Sequence, residues 1–184
     1  MCLYAQQNLD KLPFVAYNMV MEIYHGSLVI VEKPEIRISD RFLDFGCGFY
    51  TTSSLTQASR WGEKLRSRSG EKSSFVSIYA FDYEKARKDL TVVEFPDATE
   101  KWLRFVCDNR GGRSLEKYDI VIGPVADDSV YEVVRLFELG AYDKDEALKR
   151  LKIEKLFNQI LFHTGKSLDY LKYINYKEER GNGQ

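Results

Sequence analysis

Short apolar runs rich in β-branched and aromatic residues alternate along the chain with turn-forming residues. Residues 22–31 (EIYHGSLVIV) predict a strand, a tight glycine turn and a second apolar stretch. Residues 73–82 (SSFVSIYAFD) and 90–95 (LTVVEF) predict two more strands. Later runs at 118–126 (YDIVIGPVA) and 158–164 (NQILFHT) predict buried strands.

Helical spacing of apolar residues separates these strands. Leu55, Ala58, Trp61 and Leu65 recur at this spacing behind a serine pair that can cap a helix. Three further helices are predicted at 98–109, 128–140 and 144–152, and residues 166–176 (KSLDYLKYINY) predict a helical turn or a strand.

This irregular mixture of strands and helices favours an α+β fold over a doubly wound sheet. The 184 residues fit one domain, which we place at 21–176. We interpret residues 1–20 as a leader or extension and residues 177–184 as a flexible tail.

Composition narrows the class of protein. A formal charge of −1 excludes a global basic field for nucleic acid, although a local patch stays open. The three cysteines and two histidines are too scattered to form a disulfide framework or a zinc motif, so we expect no bound metal. The lack of a disulfide framework also indicates a protein of the reducing cytoplasm. No apolar run approaches the roughly 20 residues that span a bilayer, so we expect no membrane association.

Three segments carry candidate chemistry. They are Tyr24–Ser27 (YHGS), Asp44–Thr52 (DFGCGFYTT) and Asn158–Phe162 (NQILF). Taken singly, each segment is weak evidence. A histidine beside a glycine is more often structural than functional, and a tyrosine in a strand is as often a core residue as a ligand-binding one. A glutamine at the start of a strand usually faces water. The three segments gain meaning from their order.

That order, His-Gly-Ser, then Phe-Gly-x-Gly-x-Tyr, then a polar-led strand near the C-terminus, resembles the catalytic segments of poly(ADP-ribose) polymerases and their mono-ADP-ribosylating relatives. Over residues 22–174 the pattern is most similar to an uncharacterised bacterial domain family grouped with these ADP-ribosyltransferases. The resemblance implies an ADP-ribosyltransferase-like fold with two small, mostly antiparallel sheets packed together and flanked by helices. It also implies NAD as the substrate.

The resemblance assigns roles to individual residues. His25 would bond the adenosine ribose of NAD, and the Gly26 backbone would hold the nicotinamide amide, with Ser27 beside it. Tyr50 would stack on the nicotinamide ring and Trp61, eleven residues later, on its other side, with Thr51 also in the NAD site. His25, Tyr50 and Gln159 would form the catalytic set.

Two positions depart from the pattern of that group. Ala58 stands where a serine usually bonds the carboxamide, and Gln159 stands where the polymerases carry glutamate. Breaking the nicotinamide–ribose bond builds positive charge on the sugar, which a carboxylate bonded to the ribose hydroxyl stabilises with its full negative charge. A glutamine carbonyl accepts the same hydrogen bond but brings no net charge. An amide also cannot act as a general base, so chain elongation is not expected.

The resemblance therefore implies an NAD-dependent mono-ADP-ribosyltransferase with an unknown macromolecular acceptor. Bacterial relatives suggest a toxin or effector restrained by an inhibitory protein partner. Two alternatives stay open: a domain that binds NAD, ADP-ribose or a protein partner without turnover, and an NAD glycohydrolase.

Several other residues have both a functional and a structural interpretation. Asp127 or Asp128 would contact the acceptor or cap a helix, and Arg110 with Asn109 would clamp a phosphate or end a solvated helix. Arg37 and Arg41 would face a diphosphate or solvent. For Cys47, His163 and the basic stretch at 60–72 the structural interpretation is favoured: a small buried thiol, a core histidine and a solvated helix face.

Overall fold

The computed structural model describes residues 20–36, 43–112, 118–124, 128–151 and 158–181, with residues 128 and 129 described by their backbone alone. The elements, in chain order, are β1 (Val20–Ser27), β2 (Phe49–Thr52), α1 (Leu55–Ser69), β3 (Ser73–Asp82), α2 (Tyr83–Asp89), β4 (Val92–Glu94), α3 (Glu100–Arg110), β5 (Ile120–Pro124), α4 (Asp128–Glu138), α5 (Lys144–Leu151), β6 (Asn158–Phe162), α6 (Gly165–Leu168) and β7 (Leu171–Arg180). The α+β class predicted from the sequence is confirmed.

The described strands form one seven-stranded mixed sheet in the order β4-β5-β6-β2-β1-β3-β7. Only β4 and β5 pair in parallel, and the other neighbours are antiparallel. The expectation of two small packed sheets is therefore wrong. Its physical cause is β2, which hydrogen-bonds to β1 on one side and to β6 on the other and so joins strands from both ends of the chain.

Each face of the sheet carries its own apolar core. On one face, a core that includes Phe45, Trp102 and Leu161 packs with residues of α3, α4 and α5. On the other face, Ile23, Phe49 and other apolar residues pack with residues of α2. Strands present successive side chains to opposite faces, so β2, β4, β5 and β6 contribute to both cores, whereas β1 and β3 contribute to the second core alone.

Helix α1 lies on the first of these faces, close to β1 and β3. A Cβ built on Gly26 would lie 2.1 Å from the carbonyl oxygen of Ala58, and one built on Gly62 would lie 3.2 Å from Cβ of Ser74. Ser54 caps the helix by accepting a hydrogen bond from the backbone N–H of Gln57. The packed side of α1 is therefore its small-residue side, and Leu55 and Trp61, predicted on an apolar face, are exposed.

Several local expectations differ from the structure. Gly26 lies inside β1 instead of in a turn, because it is paired with Val76 across the sheet. Residues 83–89, for which no helix was expected, form α2, which begins at the Asp82 cap. The segment 166–176 divides into α6 and β7, and β7 continues through 177–180, which the sequence analysis assigned to the tail.

Asp119 ties the parallel edge of the sheet to the C-terminal segment. Its carboxylate accepts hydrogen bonds from the Thr91 N–H at 3.0 Å and the Thr164 hydroxyl at 2.9 Å, and it pairs with Lys166 at 3.1 Å. Burial raises the pKa of Asp119, but these bonds outweigh it and hold the pKa below 3.8. The carboxylate is therefore structural and belongs to the strand predicted over residues 118–126.

We predict that Gly26→Ala lowers the free energy of unfolding by about 1–3 kcal/mol, because the added methyl group overlaps the α1 backbone. Chemical denaturation measures this change. Gly165→Ala is the matched control, since a Cβ there meets no atom within 4 Å among the described residues. Equal stability of both variants would mean that α1 does not approach β1 as described.

Candidate functional site

A cleft of about 1140 Å³ opens on the sheet face between α1 and the α3–α4 side. Thr52 pairs with Tyr24 of β1 and with Gln159 of β6. Directly paired residues share a face, and so does Tyr50, two positions before Thr52. Tyr24, Tyr50, Thr52 and Gln159 therefore form the floor, while α1 forms one wall. The volume slightly exceeds the range that is usual for ligand sites, which is about 300–1,000 Å³.

All seven residues predicted to bind NAD or act on it line this one cleft. They come from β1, β2, α1 and β6, and they are His25, Gly26, Ser27, Tyr50, Thr51, Trp61 and Gln159. The structure thus brings together three sequence motifs that are far apart in the chain. Several of their individual contacts differ from the roles that the resemblance implies.

His25 is fixed at the edge of the cleft. Its Nδ1 lies 2.7 Å from the carbonyl oxygen of Tyr50, and its ring centroid lies 4.5 Å from that of Phe49. A carbonyl oxygen only accepts, so Nδ1 carries the proton. In the neutral ring Nε2 is then the unprotonated nitrogen.

Gly26 and Ser27 have structural roles that cannot be inferred from the His-Gly-Ser motif alone. The absence of a side chain at Gly26 is required by the nearby Ala58 backbone, so helix packing accounts for this glycine. The Ser27 hydroxyl donates to the Val29 carbonyl at 2.5 Å and shapes the segment that follows β1. Both residues still line the cleft.

Tyr50 packs against the core with its ring and anchors the preceding loop with its hydroxyl. The hydroxyl donates to the Gly46 carbonyl at 2.5 Å. Burial, and secondarily the negative charge of Asp44, raise the pKa of Tyr50 far above 10, so the hydroxyl stays protonated. In this loop Gly46 (φ 91°) and Gly48 (φ 152°) adopt positive φ, and a Cβ on Gly48 would lie 2.2 Å from the Phe162 carbonyl.

The side chain of Thr51 is buried, whereas that of Trp61 is about half exposed. Thr51 is 3% exposed, and its hydroxyl donates to the Ile160 carbonyl at 3.0 Å, so this side chain holds β2 to β6. Trp61 is 49% exposed on the wall formed by α1. The exposed indole is available for stacking, whereas the Thr51 hydroxyl is engaged within the sheet.

Gln159 lies on the floor between Thr52 and Gly123, its neighbours on the adjacent strands. Its Oε1 is buried and finds no hydrogen-bond partner among the described residues. An unsatisfied buried acceptor costs about 1–3 kcal/mol, so its position in a cleft needs a reason. A ligand hydroxyl would supply the missing donor.

Sequence reasoning missed the ion pair that closes the other wall. Arg110 bonds Asp44 at 2.6 and 2.7 Å, with side chains only 12% and 15% exposed. The guanidinium also lies 4.5 Å from the centroid of the Tyr131 ring. Arg110 is thus neither a solvated helix end nor an uncompensated cation, and the pair holds the loop before β2 against α3.

The chain matches a family model described as protein of unknown function (DUF3990) over residues 21–173. It belongs to the DUF3990 family. This confirms the prediction of an uncharacterised domain family spanning nearly the same residues, whereas the relation to ADP-ribosyltransferases stays a prediction. No curated protein matches the chain.

The remaining candidate residues of the DUF3990 domain either lie outside the described ranges or have a structural role. Arg37, Arg41 and Asp127 lie outside the described residues, and Asp128 is described only as the first residue of α4. The ring of His163 lies against Gly46, bonds the backbone of Phe45 and Cys47, and has its pKa lowered by burial. It supports the glycine loop, in line with its structural interpretation.

The described part of the DUF3990 domain lacks two kinds of feature. No group of three or more His, Cys, Asp or Glu residues there could hold a metal ion. Within the same ranges, no helix has the length and apolar character needed to cross a bilayer.

We predict that Tyr50→Phe lowers the free energy of unfolding by about 1–2 kcal/mol, because the Gly46 carbonyl loses its donor. The aromatic ring remains, so any ligand that stacks on it should still bind. Denaturant unfolding and ligand titration measure the two effects. Tyr131→Phe, which removes an exposed hydroxyl, should leave stability unchanged, and a similar loss in both variants would contradict this role for Tyr50.

Proposed function

We propose that the cleft binds NAD and that the protein is a mono-ADP-ribosyltransferase. The observation that carries the proposal is the convergence of the His-Gly-Ser, Phe-Gly-x-Gly-x-Tyr and Asn-Gln motifs on one cleft. A chance resemblance between short motifs would not require them to meet in space.

The character of the cleft suits a dinucleotide. Its volume accommodates an extended ligand, and Tyr50 and Trp61 offer aromatic surface for a nicotinamide ring. Lys33, Arg60 and Lys64 line the same cleft and would face the two phosphates. Gln159 Oε1 supplies the buried acceptor that a ribose hydroxyl would satisfy.

In the proposed reaction the bond between C1′ of the ribose and the nicotinamide nitrogen breaks, and its electron pair leaves with nicotinamide. Positive charge develops on the sugar. Gln159 would hold a ribose hydroxyl through its carbonyl oxygen, while Tyr50 would orient the leaving ring. The acceptor nucleophile then bonds to C1′ and releases its proton to solvent, because an amide at Gln159 does not take it up.

The lack of charge at Gln159 limits the reactions that we expect the cleft to support. Without a carboxylate at this position, transfer of one ADP-ribose is favoured over chain elongation. The same feature supports the second candidate, a domain that binds NAD or ADP-ribose without turnover. An NAD glycohydrolase is the third, and it differs only in using water as acceptor.

The acceptor in this proposal is a macromolecule. Exposed apolar side chains line the cleft, among them Val29, Leu43, Trp61 and Tyr131. This opening is where an acceptor would dock, and where an inhibitory partner of a toxin or effector would bind. Such a partner would act by covering the cleft.

The test follows nicotinamide release and label transfer from NAD labelled in its adenylate part. Gln159→Ala should lower release by roughly 100-fold, the scale of losing one group that stabilises a transition state. Gln159→Glu should raise the rate, because a carboxylate adds charge stabilisation.

The control is Asn158→Ala, which removes an exposed amide from the adjacent residue of β6 and should leave release unchanged. Release without labelled macromolecule would favour the glycohydrolase, and saturable NAD binding without release would favour the binding domain. Absence of binding to both NAD and ADP-ribose would overturn all three.

A further inference from the structure

Thr52 forms an unusually complete hydrogen-bond junction on the floor of the cleft. Its hydroxyl shares a single proton between the nearer acceptor, Gln57 Oε1 at 2.5 Å, and the Asn158 carbonyl oxygen at 2.9 Å. The hydroxyl oxygen accepts from the Ser54 N–H at 3.1 Å. The junction therefore links β2, β6 and the start of α1. Thr52 ends the Asp44–Thr52 segment but received no role from the sequence, and Gln57 lies outside all three segments.

Gln57 is held at two points by this junction. Its backbone N–H donates to the Ser54 hydroxyl at 3.3 Å, and its side-chain oxygen accepts from Thr52. A glutamine fixed in this way has already lost much of the rotamer freedom that binding would otherwise remove. Gln57 also lines the cleft, in the first turn of α1.

The junction places this side chain next to Gln159. Thr52 and Gln159 are direct partners in the β2–β6 ladder and share the floor. Because Thr52 occupies the oxygen of the Gln57 amide, its NH₂ group is the end that can donate to a ligand. Gln159 contributes the opposite function, a buried oxygen that needs a donor.

We propose that Gln57, positioned by Thr52, is a second substrate-binding amide that acts with Gln159 on a vicinal diol. The inference rests on the proposed function, in which the ligand is NAD and the diol belongs to the ribose on the nicotinamide side. One hydroxyl donates to Gln159 Oε1, and the other accepts from Gln57 Nε2.

This pairing explains why the floor can lack a carboxylate and still select a ribose. A hydroxyl both donates and accepts, so one acceptor and one donor match a diol, whereas two carboxylates would only accept. An analogue without the diol would leave two polar groups unpaired in the cleft, which is how binding sites reject such analogues strongly.

The experiment measures the affinities of NAD and of an NAD analogue that lacks both hydroxyls on the nicotinamide-side ribose, by calorimetry on the full chain. The wild type should bind NAD about 100-fold more tightly than the analogue. Gln57→Met, which keeps the length and removes the amide, should weaken NAD binding by about five- to tenfold and leave the analogue unchanged.

Thr56→Ala is the matched control, an exposed position in the same turn of α1, and should change neither affinity. Thr52→Val should repeat the pattern of Gln57→Met, and it tests the inference independently if the methionine variant does not fold. A purely structural role for Gln57 would weaken both ligands equally.

Equal weakening of both ligands, or no weakening in either variant, would overturn the inference. If the wild type binds NAD and releases nicotinamide while the variants bind both ligands normally, the proposed function stands and this inference alone fails. If the wild type binds neither ligand, both fail together.

Discussion

The close approach of α1 to β1 is the contact on which the rest of the site depends. It is permitted because Gly26 has no side chain and because the facing helix surface carries Ala58 and Gly62. With its small residues against the sheet, α1 turns Gln57 and Trp61 toward the cleft. The helix thereby becomes a wall of the site, and the sheet between α1 and α3 stays open as the floor.

The second organising feature is the central position of β2. This four-residue strand pairs with β1 and β6, so the first and last motifs of the chain lie on either side of it. Its preceding loop is shaped by Gly46 and Gly48 and closed by the Tyr50 hydroxyl and by the Asp44–Arg110 pair. The positions of His25, Tyr50 and Gln159 therefore follow from sheet topology and not from loops.

The sequence predicted most of the helices and strands better than it predicted the individual side-chain contacts. Ser54 as a cap, the helix around Trp102 and the strand led by Gln159 follow from local propensity, which adjacent residues determine. The single sheet was missed because pairing of distant strands leaves no local pattern.

The side-chain junctions were also missed, for the same reason. The bond between Thr52 and Gln57 and the pair of Asp44 with Arg110 depend on how α1 and α3 lie on the sheet. Thr51, placed in the NAD site by its position in a motif, has its hydroxyl engaged with Ile160 instead. Successive side chains along β2 point to opposite faces of the sheet, so only one of two adjacent threonines can face the cleft. The sequence motif alone does not show which one it is.

We propose a site that recognises a ribose through neutral amides, with Gln159 at its centre. The most direct measurement is a crystal structure with an NAD analogue whose nicotinamide–ribose bond cannot break. We expect the nicotinamide ring on Tyr50 and a ribose hydroxyl within hydrogen-bond distance of Gln159 Oε1. A ligand bound outside this cleft, or a Gln159 oxygen still without a partner in the complex, would contradict the account.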